Sequence, residues 1–240
     1  MKQDDRIIIA LDVETLDEAE KIVKATTPPA TYFKIGSKPF TAMGHNTIEI
    51  VKKLGGKVFL DLKWHDIPNT VAGAVSAAVA LGVDMVNVHA SGGKDMMKAA
   101  KGAAIETAQK LNMKTPIVIA VTVLTSFDDA SYKEATCSSK SIKEQVPYLA
   151  CLAKESGLDG VVASPEEVPL IRSVAGKDFI IVTPGIRTSW SAKGDQKRVT
   201  TPAEAIRLGS DYVVIGRPIC SAKDPKEALT KIIDEIKSVK

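Results

Sequence analysis

Short runs of β-branched and other apolar residues recur along the chain, and nearly every one is followed by a longer stretch whose apolar residues fall at helical spacing. The runs predict strands over 7–11, 32–35, 58–62, 85–88, 117–121, 160–162, 179–182 and 212–215. The stretches predict helices over 16–25, 40–54, 69–81, 94–111, 141–156, 165–174, 202–208 and 224–238. Punctuation agrees with this division. Thr15 precedes Glu18 at capping-box spacing, Pro165 and Pro202 suit a first helical turn, and Gly55, Gly82, Gly157 and Gly209 stand just past helix ends.

Most of the strand runs are continuously apolar instead of alternating, as in strands covered on both faces by crossover helices, so a parallel sheet is expected. Eight βα units in 240 residues fit an α/β fold of the (β/α)8 type, the TIM barrel, as a single domain over 1–240. A doubly wound open sheet would carry a glycine-rich turn after its first strand. Here that turn reads Asp12-Val13-Glu14. There is no linker, low-complexity tract or 20–50-residue repeat beyond the βα alternation itself.

With 45% hydrophobic and 25% charged residues the composition excludes disordered and collagen-like chains. The 32 Lys+Arg against 29 Asp+Glu leave +3, too small a surplus for a nucleic-acid footprint, so a small-molecule partner is expected. Cys137, Cys151 and Cys220 lie far apart without C-x-x-C spacing, which fits a reducing cytosol. The first six residues carry four charges, unlike a secretory signal, and the most membrane-like stretch, 71–83, is shorter than the ~20 residues a bilayer needs. The expectation is a soluble cytoplasmic protein without membrane contact.

A barrel of this kind carries its active site at the C-terminal strand ends, where this chain is unusually charged. Asp12 ends the first strand, Lys34 lies in the second, and the third runs into Asp61-Leu62-Lys63-Trp64-His65-Asp66-Ile67-Pro68-Asn69-Thr70. Strand alternation puts Asp61 and Lys63 on one face. An isolated D-x-K-x-x-D string is commonly a solvated surface feature, but this one continues a core strand. Two cations and two anions gathered in the mouth hold one another ionised where each alone would be expelled.

The seventh strand leads into Thr183-Pro184-Gly185-Ile186-Arg187 and then Gly194-Asp195-Gln196-Lys197-Arg198, a connection long enough to act as a lid. The eighth ends in Ile215-Gly216-Arg217-Pro218, at the usual phosphate site of such barrels. No metal is expected: His65 beside Asp66 has no second histidine at helical or ribbon spacing, so packing or hydrogen bonding is its expected role. Lys94, Lys98 and Lys101 read as a solvated helix face, and Met96 and Met97 as core filler. His89 ends the fourth strand near the mouth, with no role assigned.

These strings, together with Val121-Thr122-Val123-Leu124-Thr125-Ser126, closely resemble bacterial orotidine 5′-phosphate decarboxylases, in the family's order from residue 7 to about 219. Trp64 departs from the pattern, where Phe is commoner, but it lies between motif residues. The resemblance implies conversion of orotidine 5′-monophosphate to UMP and carbon dioxide without a cofactor. It implies that Lys63 delivers a proton to pyrimidine C6 and that Lys34, Asp61 and Asp66 complete a charge network. Asp66 and Thr70 would reach into the neighbouring subunit's site of an obligate homodimer. Asp12 and Lys34 would hold ribose hydroxyls, and Thr125 with Ser126 would address the pyrimidine. Arg187, Gln196, Gly216 and Arg217 would bind the 5′-phosphate. The enzymatic rival is 3-hexulose-6-phosphate synthase, a metal-dependent aldolase that shares D-x-K-x-x-D but has Glu where this chain has Lys34. A non-catalytic nucleotide-binding barrel is the other alternative.

Overall fold

A computed structural model describes residues 5–188 and 200–238. Eight parallel strands close into a barrel in chain order: β1 (Ile7–Ala10), β2 (Tyr32–Gly36), β3 (Lys57–Trp64), β4 (Met85–His89), β5 (Ile117–Val121), β6 (Gly160–Val162), β7 (Ile180–Thr183) and β8 (Tyr212–Ile215). Ile9 of β1 pairs with Phe33 of β2 on one side and Ile215 of β8 on the other, which closes the ring. The predicted architecture and strand positions hold to within one or two residues. Continuous apolar runs are explained by two separate cores. Ile8, Ala10, Tyr32, Phe59, Met85, Ile119, Val182 and Val214 fill the barrel interior, while the alternate residues Ile7, Ile9, Phe33 and Leu60 pack outward under the helices. Each such fully buried Ile or Phe contributes about 2 kcal/mol of transfer free energy.

The helices follow their caps. Thr15 accepts the Glu18 N–H at 3.3 Å, although Glu18 returns its bond to the N–H of Glu14 instead of Thr15. Ser141 and Glu144 form the reciprocal pair that starts Ile142–Glu155. The single helix predicted over 40–54 is two, Ser37–Met43 and Asn46–Lys53. Gly44 separates them at φ 61°, ψ −148°, a conformation outside any helix that glycine adopts without a Cβ penalty. Two short helices, Asp129–Thr136 and Arg217–Cys220, arise where loops were expected, and 165–174 opens with a turn of 3-10 helix at Pro165–Glu167.

At the N-terminal end of the barrel one arrangement occurs three times. Asp84, Asp159 and Asp211 precede β4, β6 and β8, each in a Gly-x-Asp string. Each carboxylate accepts the N–H of the second residue of the preceding strand: Val58 at 2.8 Å, Val118 at 2.7 Å and Ile181 at 2.7 Å. Each also receives a cation from the helix that leads into that preceding strand, Lys52 at 3.0 Å, Lys101 at 2.6 Å and Arg172 at 2.6 Å. Lys101 is therefore not part of a solvated row. Its partly buried ammonium clamps helix Gly93–Lys110 to β6 through Asp159. Conserving geometry at this end serves stability, because the chemistry of such barrels lies at the other. Met96 and Met97 are buried, as predicted.

Candidate active site

β3 delivers Asp61 and Lys63 to the C-terminal mouth by a route that plain alternation does not describe. Its pairing with β4 shifts register between Leu60 and Trp64, and Lys63 takes a left-handed φ of 53°. The two side chains still meet: Lys63 Nζ lies 2.7 Å from Asp61 Oδ1. On the other side Lys34 Nζ sits 3.2 Å from Asp61 Oδ2 and 3.6 Å from Asp12 Oδ1. The result is a ladder of alternating charge, Asp12–Lys34–Asp61–Lys63, drawn from three adjacent strands. Asp61 and Lys34 are largely enclosed at 9% and 13% side-chain exposure, whereas Asp12 at the rim is 61% exposed. Enclosed carboxylates are tolerated when cations and hydrogen bonds surround them, and Asp61 has both.

The ladder borders a cavity of about 240 Å³ at the strand ends. Lys34, Asp61, Lys63 and Thr125 supply its polar wall, and Phe59, Val162, Val182 and Val214 supply an apolar floor. Two ammonium groups, Lys34 and Lys63, thus face a cavity whose floor is apolar. A low-dielectric floor strengthens any charge interaction made above it.

Gly216 closes the β8 side of the mouth. A Cβ there would lie 3.3 Å from Ala10 Cβ and 3.7 Å from Asp12 Oδ2, so the backbone comes close to the end of β1 and leaves little room for a side chain. Arg217 follows, exposed at the start of its four-residue helix. Arg187 is buried, and its Nη1 donates to the Ile186 carbonyl at 3.1 Å. Ile186 bridges Thr200, with Arg187 N–H donating to Thr200 O at 3.1 Å, so the two ends of the long connection are joined. Gln196 and the rest of Gly194–Arg198 lie outside the described residues.

Asp66, Thr70 and Ser126 are exposed and do not line this cavity, although Ser126 directly follows Thr125, which does. Asp66 Oδ1 accepts the N–H of Ile67 at 2.6 Å. His65 and His89, distant in sequence, come together through neighbouring strands with ring centroids 5.5 Å apart. They face a second cavity of about 500 Å³ beside the mouth. Burial, then the nearby His65 and Lys63, hold the His89 pKa below the usual 6.5. Among the described residues no three of His, Cys, Asp and Glu gather as a metal site. Cys220 donates its thiol to the Ala10 carbonyl at 3.3 Å, and burial pushes its pKa up to about 12, so it is an unreactive packing residue.

Two further residues shape the ladder. Gly36 stands two positions after Lys34 on the same face, and a Cβ there would come within 3.1 Å of Lys34 Nζ. Asn87 is fully buried beside Asp61. Both had a sequence signal: a glycine ending the Lys34 strand, and one amide inside the apolar run Met85-Val86-Asn87-Val88.

Known proteins resemble this chain over nearly its whole length. A relative from Moorella thermoacetica, named orotidine 5′-phosphate decarboxylase, is 53% identical over 240 residues, covering all of this chain and 95% of that protein. One of the same name from Syntrophomonas wolfei is 46% identical, covering 98% of this chain and 99% of its own. The crystal structure of orotidine 5′-phosphate decarboxylase from Lactobacillus acidophilus superposes with a TM-score of 0.85 at 38% identity, over 97% of this chain and 99% of that one. The family model described as orotidine 5′-phosphate decarboxylase / HUMPS matches residues 5–232, and the chain belongs to that family.

Proposed function

We propose that this protein is a carboxy-lyase that converts orotidine 5′-monophosphate to UMP and carbon dioxide without a cofactor, with residues 1–240 acting as one barrel domain. The single observation that carries this is the Asp12–Lys34–Asp61–Lys63 ladder set against an apolar-floored cavity. Breaking the C6–carboxylate bond leaves its electron pair on a ring carbon that has no adjacent electron sink. A preorganised cation must stand where that charge forms, and Lys63 Nζ fills this role, giving its proton to C6 as carbon dioxide departs. Water then restores the proton to the lysine.

Asp61 faces the carboxylate that leaves. Its negative charge opposes the substrate's, and departure of carbon dioxide removes the opposition; held by Lys34 and Lys63, Asp61 does not swing away. Asp12 and Lys34 bind ribose hydroxyls, Thr125 and Ser126 address the pyrimidine, and Gly216, Arg217, Arg187 and Gln196 take the 5′-phosphate. Binding energy from that remote phosphate is then available to close the site around the ring.

Asp66 and Thr70 act in a second subunit's site. This is supported by the wholly exposed segment 65–70, in which Ile67 is 66% exposed, and by exposed Leu124 and Tyr148, which line one cavity with His65. Exposed apolar side chains next to a mouth fit a homodimer with shared active sites. A cytoplasmic setting agrees with three free thiols. The aldolase alternative asks for a cation-binding acid on β2, and Lys34 puts an ammonium there instead. The test is a spectrophotometric assay following loss of the orotate chromophore with purified protein in chelator. Turnover to UMP is expected; absence of turnover, or turnover only on metal addition, would refute the assignment.

A further inference from the structure

Between the paired positions Leu60–Val86 and Trp64–Val88, β3 carries three residues, Asp61, Leu62 and Lys63, against one on β4, Asn87. The bulge takes the Lys63 N–H out of the regular ladder, and a buried backbone N–H left without an acceptor costs about 1–3 kcal/mol. Asn87 Oδ1 accepts it at 2.8 Å. The same carboxamide donates through Nδ2 to Asp61 Oδ1 at 2.6 Å, on the oxygen that also meets Lys63 Nζ. The amide orientation has a physical basis: the Lys63 N–H can only donate, so the carbonyl oxygen must face it, and Nδ2 is left for the carboxylate.

We infer that Asn87 is the positioning residue of this site: one amide replaces the missing strand ladder, holds Lys63 in its left-handed backbone conformation, and locks the Asp61 carboxylate between two ammonium groups. The inference rests on the proposed decarboxylation for its kinetic consequence but not for its geometry. A non-glycine residue at positive φ costs about 1–2 kcal/mol and persists only where the surroundings over-determine it. Here the over-determining contact is a side chain that holds the cavity wall from behind without lining the cavity itself. Without it, position 63 relaxes towards ordinary extended backbone, and the ammonium swings off its line to the ring.

Asn87→Leu keeps the branched outline and removes both hydrogen bonds; Asn87→Asp keeps the shape and the acceptor but sets a second carboxylate against Asp61. For both, kcat is expected to fall about a hundredfold, as for a reacting group misplaced by about 1 Å. KM should stay within about threefold, because Asn87 bonds none of the groups assigned to ribose and phosphate directly and meets Lys34 only through Asp61. A packing role would be rescued by the isosteric leucine, so a folded Asn87→Leu protein with parental kcat would overturn the inference. Its crystal structure supplies a readout independent of activity: Lys63 should leave the left-handed region, and a Lys63 that stays near its parental φ would overturn the inference even in a protein that decarboxylates nothing. Failure of the parent to turn over would instead count against the proposed function alone. Should neither variant fold, a crystal structure of the parent decides, since an Asn87 amide turned away from Asp61 and Lys63 would equally overturn it.

Discussion

Lys63 Nζ and Asp61 Oδ1 are 2.7 Å apart although the strand that carries both is not regular between them. A plain β-strand would place residues two apart on one face but with side chains running parallel, roughly 7 Å apart at the backbone. The left-handed turn at Lys63 folds its side chain back onto the carboxylate. Strain at one residue thus converts a same-face relationship into a contact, which is where backbone strain is found in enzymes.

Crowding at Lys34 yields the first prediction. Gly36→Ala adds a Cβ within 3.1 Å of Lys34 Nζ and 3.7 Å of Asp12 Oδ1, so the ammonium must give way by a few tenths of an ångström. Steady-state kinetics should show kcat/KM down by about tenfold, with the unfolding midpoint unchanged. An unaltered kcat/KM would mean that Lys34 tolerates displacement.

Stability should respond at the opposite end of the barrel. Asp159→Ala removes the acceptor of both the Val118 N–H and the Lys101 ammonium, for an expected loss of about 2 kcal/mol. Urea unfolding should show a lower midpoint at unchanged slope, and kcat should match the parent's. A loss of activity without a loss of stability would place Asp159 in the wrong role.

How much of this was legible from residues alone divides along physical lines. Strands covered on both faces announce themselves as apolar runs, and helix ends as Gly, Pro and Ser/Thr, so the barrel and the charged strand ends could be read directly. Asp129–Thr136 escaped because Tyr132 is its one buried side chain, which leaves no apolar period to detect. The bulge at Lys63 escaped because register is set by the partner strand, and Asn87 because an amide adds nothing to a pattern of charges. The Gly-x-Asp strings stood in plain view, but their backbone partners lie 26 to 41 residues away in sequence, and only the closed barrel joins them.

Acidification should weaken the fold through His89. Its pKa in the folded chain lies below the ordinary 6.5, so the unfolded chain binds the proton more readily. The contribution is fully present above pH 6.5 and is lost as pH falls from there through the lower folded value. Denaturant midpoints measured between pH 7.5 and 5 should therefore decline less steeply for His89→Asn than for the parent. Parallel curves would remove His89 from the account.

Association is tested at Ile67, 66% exposed at the centre of the segment assigned to the subunit contact. Ile67→Glu should shift the light-scattering mass from dimer towards monomer at micromolar concentration and lower activity with it, since Asp66 and Thr70 would no longer reach a second site. A parent that is monomeric and fully active would contradict the shared-site arrangement.

The most direct test is Lys63→Ala, measured twice: UMP binding by calorimetry, and turnover by loss of orotate absorbance. Removing the ammonium leaves the groups assigned to ribose and phosphate in place, so UMP should still bind while decarboxylation falls below detection. A Lys63→Ala protein that retains its turnover would contradict the central claim.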